Sequence, residues 1–280
     1  MRERGRTVTA LTSTQRDRVV KYHPAKFSAS IMEQVADLLE VWLPDGGWIL
    51  DPFAGVGRVH DLAREGDGAR YTVGVDIEPV FAEAHERNRQ GDATCLEFEA
   101  GEFDAVVTSP VYPNRMRDSH NATDPCRTCD GDGVLGPDEC KECGGLGLTM
   151  RNTYTHRLRV ITGDRSAKLA PNNAGAMGDR DYWRLHEQAV AEMVRVVQPG
   201  GLLVVNVSNH LRTVRKGQPQ VEVDTVGRWL NLLSLRRCLI RQVQPVKTPR
   251  NGYGANGSAR ADHEVIIVAH TPPAQPASLI

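Results

Sequence analysis

Apolar residues recur at helical spacing in three stretches of the chain. These are Ile31, Val35, Leu38, Leu39 and Trp42; Leu185, Ala189, Val190, Met193, Val194 and Val197; and Val223, Val226, Trp229, Leu230 and Leu233. Ser28 or Ser30 can cap the first helix, over 31–43. Pro44-Asp-Gly-Gly ends it, and Gln198-Pro-Gly-Gly ends the second. Weaker helical patterns start at 59–64 and 80–89. Between these lie short apolar runs at 48–51, 71–76, 94–98, 104–108, 202–207, 238–243 and 265–269, which predict seven strands. Strands alternating with helices predict an α/β fold, a mostly parallel sheet covered on both faces. The alternation stops at 115–180, a stretch rich in Gly, Asp and Asn that holds four of the six cysteines. A segment that long inside a compact domain folds on its own or binds something. The chain thus divides into a flexible arm (1–20), a sheet domain (21–116 and 181–270), an insertion (117–180) and a Pro- and Ala-rich disordered tail (271–280).

Composition adds exclusions more than identities. The 280 residues are 40% hydrophobic and 25% charged with a formal net charge of −1, so no global field favours a nucleic acid. Local clusters at 2–6, 16–21, 212–216 and 236–241 are basic, and each reads first as a solvated face. No apolar run approaches ~18 residues, so no membrane-spanning helix is expected. The polar N-terminus has no apolar signal core, which predicts a cytoplasmic, reducing location.

The run Asp51-Pro-Phe53-Ala-Gly55-Val-Gly57 follows the first strand and opens the next element. Glycines there let backbone approach a ligand, and a helix start would offer free N–H groups. Asp76 closes the second strand, where a carboxylate can accept ribose hydroxyls. A third glycine at dinucleotide spacing is missing, and so is a P-loop lysine. An adenosine site without phosphates is therefore the expectation, with Gly91-Asp92-Ala93 at the adenine edge.

The order DPFAGVG, an acid closing strand two, then Thr108-Ser-Pro-Val-Tyr112 after strand four resembles the S-adenosylmethionine-dependent amino-methyltransferases acting on DNA. The upstream Lys21-Tyr-His-Pro-Ala-Lys-Phe-Ser28 and the late Thr248-Pro-Arg-Asn-Gly-Tyr-Gly-Ala-Asn-Gly resemble segments of the same family. The resemblance covers about residues 20–115 and 180–270. It implies a Rossmann-like seven-stranded methyltransferase sheet with an antiparallel last strand. It implies S-adenosylmethionine held by Lys26, Phe27, Asp51, Phe53, Gly55, Gly57, Asp76, Ile77, Asp92 and Ala93. Double-stranded DNA with a flipped base is the implied substrate, and a companion restriction endonuclease the implied partner.

An exocyclic amine is a poor nucleophile because its lone pair is delocalised into the ring. Accepting hydrogen bonds from its N–H groups and holding it in line with a methyl donor supplies most of the rate. Ser109 and the Pro110 carbonyl can be those acceptors, and Tyr112 can stack on an extruded base. The family usually has a second proline where Val111 stands; valine is also stiff. Serine at the first position is the form the resemblance associates with cytosine N4 over adenine N6.

Cys126-Arg-Thr-Cys129-Asp-Gly-Asp-Gly and Cys140-Lys-Glu-Cys143-Gly-Gly-Leu-Gly repeat one pattern, CxxCxGxG. Four thiolates so spaced make a closed, structural zinc site. The pattern resembles half of a DnaJ-type cysteine-rich domain. Cys95 and Cys238 are expected to be buried in strands. The zinc-stapled insertion is a candidate target-recognition element, with Arg115, Arg117, Arg127, Arg151, Arg157 and Arg159 as candidate contacts; the plainer reading is a stabilising rim. Competing readings are an RNA or tRNA amino-methyltransferase, a release-factor-type protein methyltransferase, and a zinc-bearing nucleic-acid binder on an inactive methyltransferase fold.

Overall fold

The structure is a computed structural model. It describes residues 11–23, 27–111, 126, 128–143, 145, 147, 158–159, 161–164, 166–213, 220–247 and 263–274. The chain first forms α1 (Ser13–Tyr22), α2 (Ala29–Trp42), β1 (Gly47–Asp51), β2 (Arg70–Asp76), α3 (Pro79–Ala82), β3 (Asn88–Gln90) and β4 (Phe103–Thr108). A small ribbon of β5 (Val134–Leu135) and β6 (Asp138–Glu139) follows. Then come α4 (Asp179–Val196), β7 (Val197–Val207), the hairpin β8 (His210–Thr213) and β9 (Gln220–Val223), α5 (Thr225–Leu235), β10 (Leu239–Lys247) and β11 (His263–His270).

Among the described residues one seven-stranded sheet has the order β10-β11-β7-β4-β1-β2-β3. Its neighbours pair in parallel except at β11, which runs antiparallel to both β10 and β7. The register explains the apolar runs. Val73, Leu50, Val106, Leu203 and Ala269 align across five strands. All five belong to one core layer with Ala189, Val190, Met193 and Val196 of α4 and Trp229 and Leu233 of α5. The alternate residues Ile49, Ala105, Leu202 and Ile266 pack against Ile31, Val35, Leu38 and Leu39 of α2. A sheet covered on both faces needs apolar residues on both, and the central strands β1, β4, β7 and β11 supply them.

Ser28 caps α2, its hydroxyl accepting the Ile31 N–H at 3.3 Å. Several expected elements differ. The turn after Gly57 is a five-residue 3-10 stretch, Arg58–Leu62, because Gly66 and Gly68 at positive φ reverse the chain into β2. The pattern at 80–89 yields only the single turn of α3. Asn88 is drawn to the sheet instead, its amide donating to Gly55 O and accepting from His60 Nε2. The third strand is therefore 88–90, and 94–98 is not a strand. Its carbonyls at Leu96 and Phe98 are taken by Arg195, and the Leu96 N–H by Glu192, both on α4. Cys95 is exposed; Cys238 is buried, one residue before β10. Part of the expected arm is helical, with Val19 of α1 packed on Val56 and Phe81. The expected tail begins ordered: the Thr271 N–H donates to Gly201 O, and Pro272 O accepts from Gly200 N. The hairpin β8–β9 had no counterpart in the sequence pattern.

Candidate functional site

Parallel β1, β2, β4 and β7 deliver their carboxyl ends to one edge. The chain reverses its direction of travel across the sheet between β1 and β4, the usual place for a ligand crevice. Asp51 and Thr108 meet across that point: Thr108 Oγ1 donates to Asp51 Oδ1 at 2.6 Å. Asp51 also accepts the Phe53 N–H and is only 1% exposed. Burial outweighs both hydrogen bonds and pushes its carboxyl up to about 7.

Asp76, at the end of β2, accepts the Gly55 N–H on one oxygen and the Glu78 N–H on the other. Burial, with small additions from Glu78 and Asp51, pushes it up to about 7 as well. Four amides of the glycine turn are thus spent inside the protein. Phe53 N donates to Asp51, Ala54 N to Val75 O, Gly55 N to Asp76 and Gly57 N to Ala54 O. The expected α-helix start is replaced by the 3-10 stretch Arg58–Leu62, which has no side-chain cap. What remains is a carboxylate-rich turn that repels phosphate and suits a cationic, hydroxyl-bearing ligand. Gly55 is required twice over: φ is +53°, and a Cβ would lie 2.8 Å from His23 Cε1. His23, from the upstream segment, is buried and packs edge-on to Phe81.

A strap from the insertion reaches this edge. Glu78 Oε1 accepts from Ala170 N and Asn173 Nδ2, each at 2.7 Å, and Asp92 Oδ2 accepts from Asn172 Nδ2 at 3.0 Å. Burial holds Glu78 above the ordinary range for a glutamate. Phe53 is half-buried and stacks on His186 of α4. His186 Nδ1–H donates to Tyr182 O, and burial pushes the ring down to about 4, so it is neutral.

Ser109 is half-buried just past β4, and Pro110 is buried. Tyr182 Oη donates to Val111 O at 2.6 Å, while the Val111 side chain packs beside Phe53, Val56 and Tyr182. The loop is stiffened by packing and a tyrosine where proline was expected. Tyr112 and Lys26 lie outside the described residues. Of the other expected cofactor residues, Asp51, Phe53, Gly55, Gly57, Asp76, Ile77 and Asp92 are at or beside this edge. Phe27 and Ala93 are buried in the two core layers, so their side chains serve packing. Glu78, Asn173 and Tyr182 were not singled out from the sequence. Only the position of Glu78, two residues after Asp76, hinted at a role.

The four insertion cysteines form a second cluster, their sulfurs all within 4.8 Å of one another. Tetrahedral zinc bonded at about 2.3 Å places sulfurs about 3.8 Å apart. Gly133 N and Gly147 N each donate to a sulfur, of Cys129 and Cys143, at 3.2 Å. The two halves mirror one another. A Cβ on Gly133 would strike Gly145 O, and one on Gly147 would strike Gly131 O. Donor set, burial and amide support fit a structural zinc ion, which Cys126, Cys129, Cys140 and Cys143 would hold and which would supply folding free energy. Among the described residues around the cluster, Asp130, Asp132, Asp138, Glu139 and Glu142 are exposed, against one exposed base, Lys141. Arg159 Nε donates to Ala167 O and braces a turn. Arg115, Arg117, Arg127, Arg151 and Arg157 lie outside the described residues.

No protein-family model and no curated protein matches the chain. Solved structures do. A chain from the complex of the Haloferax volcanii Trm112 methyltransferase activator with its candidate methyltransferase aligns at TM-score 0.50 and 9% identity, over 94% of this chain and 95% of that one. An S-adenosylmethionine-dependent methyltransferase of Methanosarcina mazei aligns at 0.45 and 13% identity, over 85% and 98%. The 1,6-didemethyltoxoflavin-N1-methyltransferase of Burkholderia thailandensis aligns at 0.44 and 16%, over 92% and 87%. The first likeness, with the strand order, establishes the fold: a Rossmann-like methyltransferase sheet carrying a four-cysteine insertion.

Proposed function

We propose that this protein is an S-adenosylmethionine-dependent methyltransferase that modifies an exocyclic amine of a flipped DNA base, cytosine N4 in preference to adenine N6. The observation that carries the reading is the placement of Ser109 and Pro110 one strand from the carboxylate-rich glycine turn, on the same sheet edge. A methyl donor on that turn and an amine at Ser109 would be neighbours.

In this reading the ribose hydroxyls go to Asp76 and the adenine amine to Asp92. When bound, the cofactor would supply an electrophilic sulfonium methyl, and Asp51 and Asp76 would stabilise its positive charge. Ser109 Oγ and Pro110 O accept the amine N–H groups and concentrate the nitrogen lone pair toward the methyl. The base nitrogen forms the new C–N bond as the S–C bond breaks to a thioether, and one N–H proton leaves to water. Tyr112 stacks on the extruded base. The arginines 115, 117, 127, 151 and 157 carry the phosphate and base contacts, because residues 128–143 present an acidic face.

Methyl transfer from labelled S-adenosylmethionine, with unmethylated duplex DNA and total tRNA offered separately, tests the proposal. Label in DNA, lowered by about a hundredfold or more but not abolished in Ser109→Ala, is expected. Label only in tRNA would move the substrate to RNA, and no label in either would reject the reading.

A further inference from the structure

A buried asparagine in the middle of an apolar strand calls for a reason. Residues 202–207 of β7 are all buried, and Asn206 is the polar one among them. The register sets Asn206 beside Ile266 on one side and Val205 beside Thr108 on the other. Alternation then puts Ser109, Asn206 and Glu264 on the same face of the sheet, at its carboxyl edge. A leucine would pack more favourably there, so the amide is retained for what it bonds.

Asn206 Nδ2 lies 2.6 Å from Glu264 Oε2 and 3.3 Å from Ser109 Oγ. The Glu264 oxygen accepts from this amide, so the contact fixes which end of the amide is nitrogen. Both amide hydrogens are then spent, one on Glu264 and one on Ser109. Asn206 Oδ1 is buried without a partner among the described residues, the consequence of fixing the amide in this sense. The serine hydroxyl has one hydrogen and two lone pairs. With one lone pair taken by Asn206, its hydrogen cannot turn back to the amide. The second lone pair and the O–H are both left for the cleft.

We propose that Asn206, locked in polarity by Glu264, is a positioning residue that orients the Ser109 hydroxyl. Ser109 then accepts a hydrogen of the substrate amine while donating its own to an acceptor beside that amine. A ring nitrogen flanks the exocyclic amine in both cytosine and adenine, so this hydroxyl reads an amine together with its neighbouring unprotonated nitrogen. The inference rests on the methyltransferase reading above and deepens it.

The test uses the purified full chain, labelled S-adenosylmethionine and duplex plasmid DNA from a host lacking DNA methylation. Asn206→Leu is expected to lower kcat by about tenfold to a hundredfold, with the KM for S-adenosylmethionine and the Tm unchanged. Glu264→Leu should fall with it. Glu264→Gln, which keeps an acceptor oxygen for the amide, should fall only about threefold. Added to Ser109→Ala, Asn206→Leu should cost nothing further, because its effect passes through the serine. A kcat for Asn206→Leu within about twofold of wild type, or a further loss on the Ser109→Ala background, would overturn the positioning role. Equal losses for Glu264→Gln and Glu264→Leu would overturn the polarity lock. Failure of the wild type to methylate DNA would instead remove the reading beneath the inference, and the inference with it.

Discussion

Two aspartates at the sheet edge make the site sensitive to pH. Asp51 and Asp76 are each raised from 3.8 to about 7, so between these values the folded protein holds protons that the unfolded chain has released. Their contribution to stability is complete below the unfolded value and is lost as pH rises through about 7. His60 and His186 act in the opposite sense. Burial lowers both to about 4, so the unfolded chain takes up protons first as pH falls below 6.5. The opposing effects overlap at acid pH and separate near neutrality. The ligand-free Tm should therefore decline across pH 6.5 to 7.5, and less so in Asp51→Asn. The same carboxylates should distinguish a sulfonium from a thioether. As they ionise, affinity for S-adenosylmethionine should gain on that for S-adenosylhomocysteine by about three- to tenfold between pH 6 and pH 8, on the order of one pKa unit of interaction. Calorimetric titration of both ligands at the two pH values checks this; a constant ratio would place the carboxylates away from the sulfur.

At the scale of elements, the strap and the zinc cluster make separable predictions. Glu78→Ala leaves the Ala170 N–H and the Asn173 amide without their acceptor. Hydrogen exchange at 168–174 should accelerate, and S-adenosylhomocysteine should dissociate about tenfold faster, the effect of roughly 1.4 kcal/mol. Replacing Cys126 and Cys129 by serine should remove bound zinc, measured by metal analysis. DNA affinity should fall at least about tenfold while S-adenosylhomocysteine affinity stays within about threefold, if the insertion serves recognition. Joint loss of both would make the insertion a structural rim. The sequence showed some of these elements plainly and hid others. Local rules carried α2, the glycine turn, β4 and the cysteine pairs, since a cap, positive-φ glycines, apolar runs and ligand spacing are all encoded within a few residues. The stretch 94–98 misled because its partners, Glu192 and Arg195, come from α4, nearly a hundred residues later. The strap was invisible for the same reason: nothing near Asn173 announces that its amide will meet Glu78.

For the whole molecule, the strand order assembles what the chain separates. The glycine turn at 51–57, the acid at 76 and the loop at 108–111 come from three strands of one edge, which only the parallel arrangement β4-β1-β2 brings together. The legible part of the site was therefore its parts list, and the illegible part was its supports, Tyr182, His186 and Asn206, supplied by α4 and β7. The most direct test of the account is mass spectrometry of nucleosides from the DNA of a methylation-deficient host expressing the protein. N4-methylcytosine, or N6-methyladenine in its place, is expected with the wild type, and far less of it with Ser109→Ala. DNA with neither modified base, from cells in which the folded wild-type protein is abundant, would contradict the proposed function.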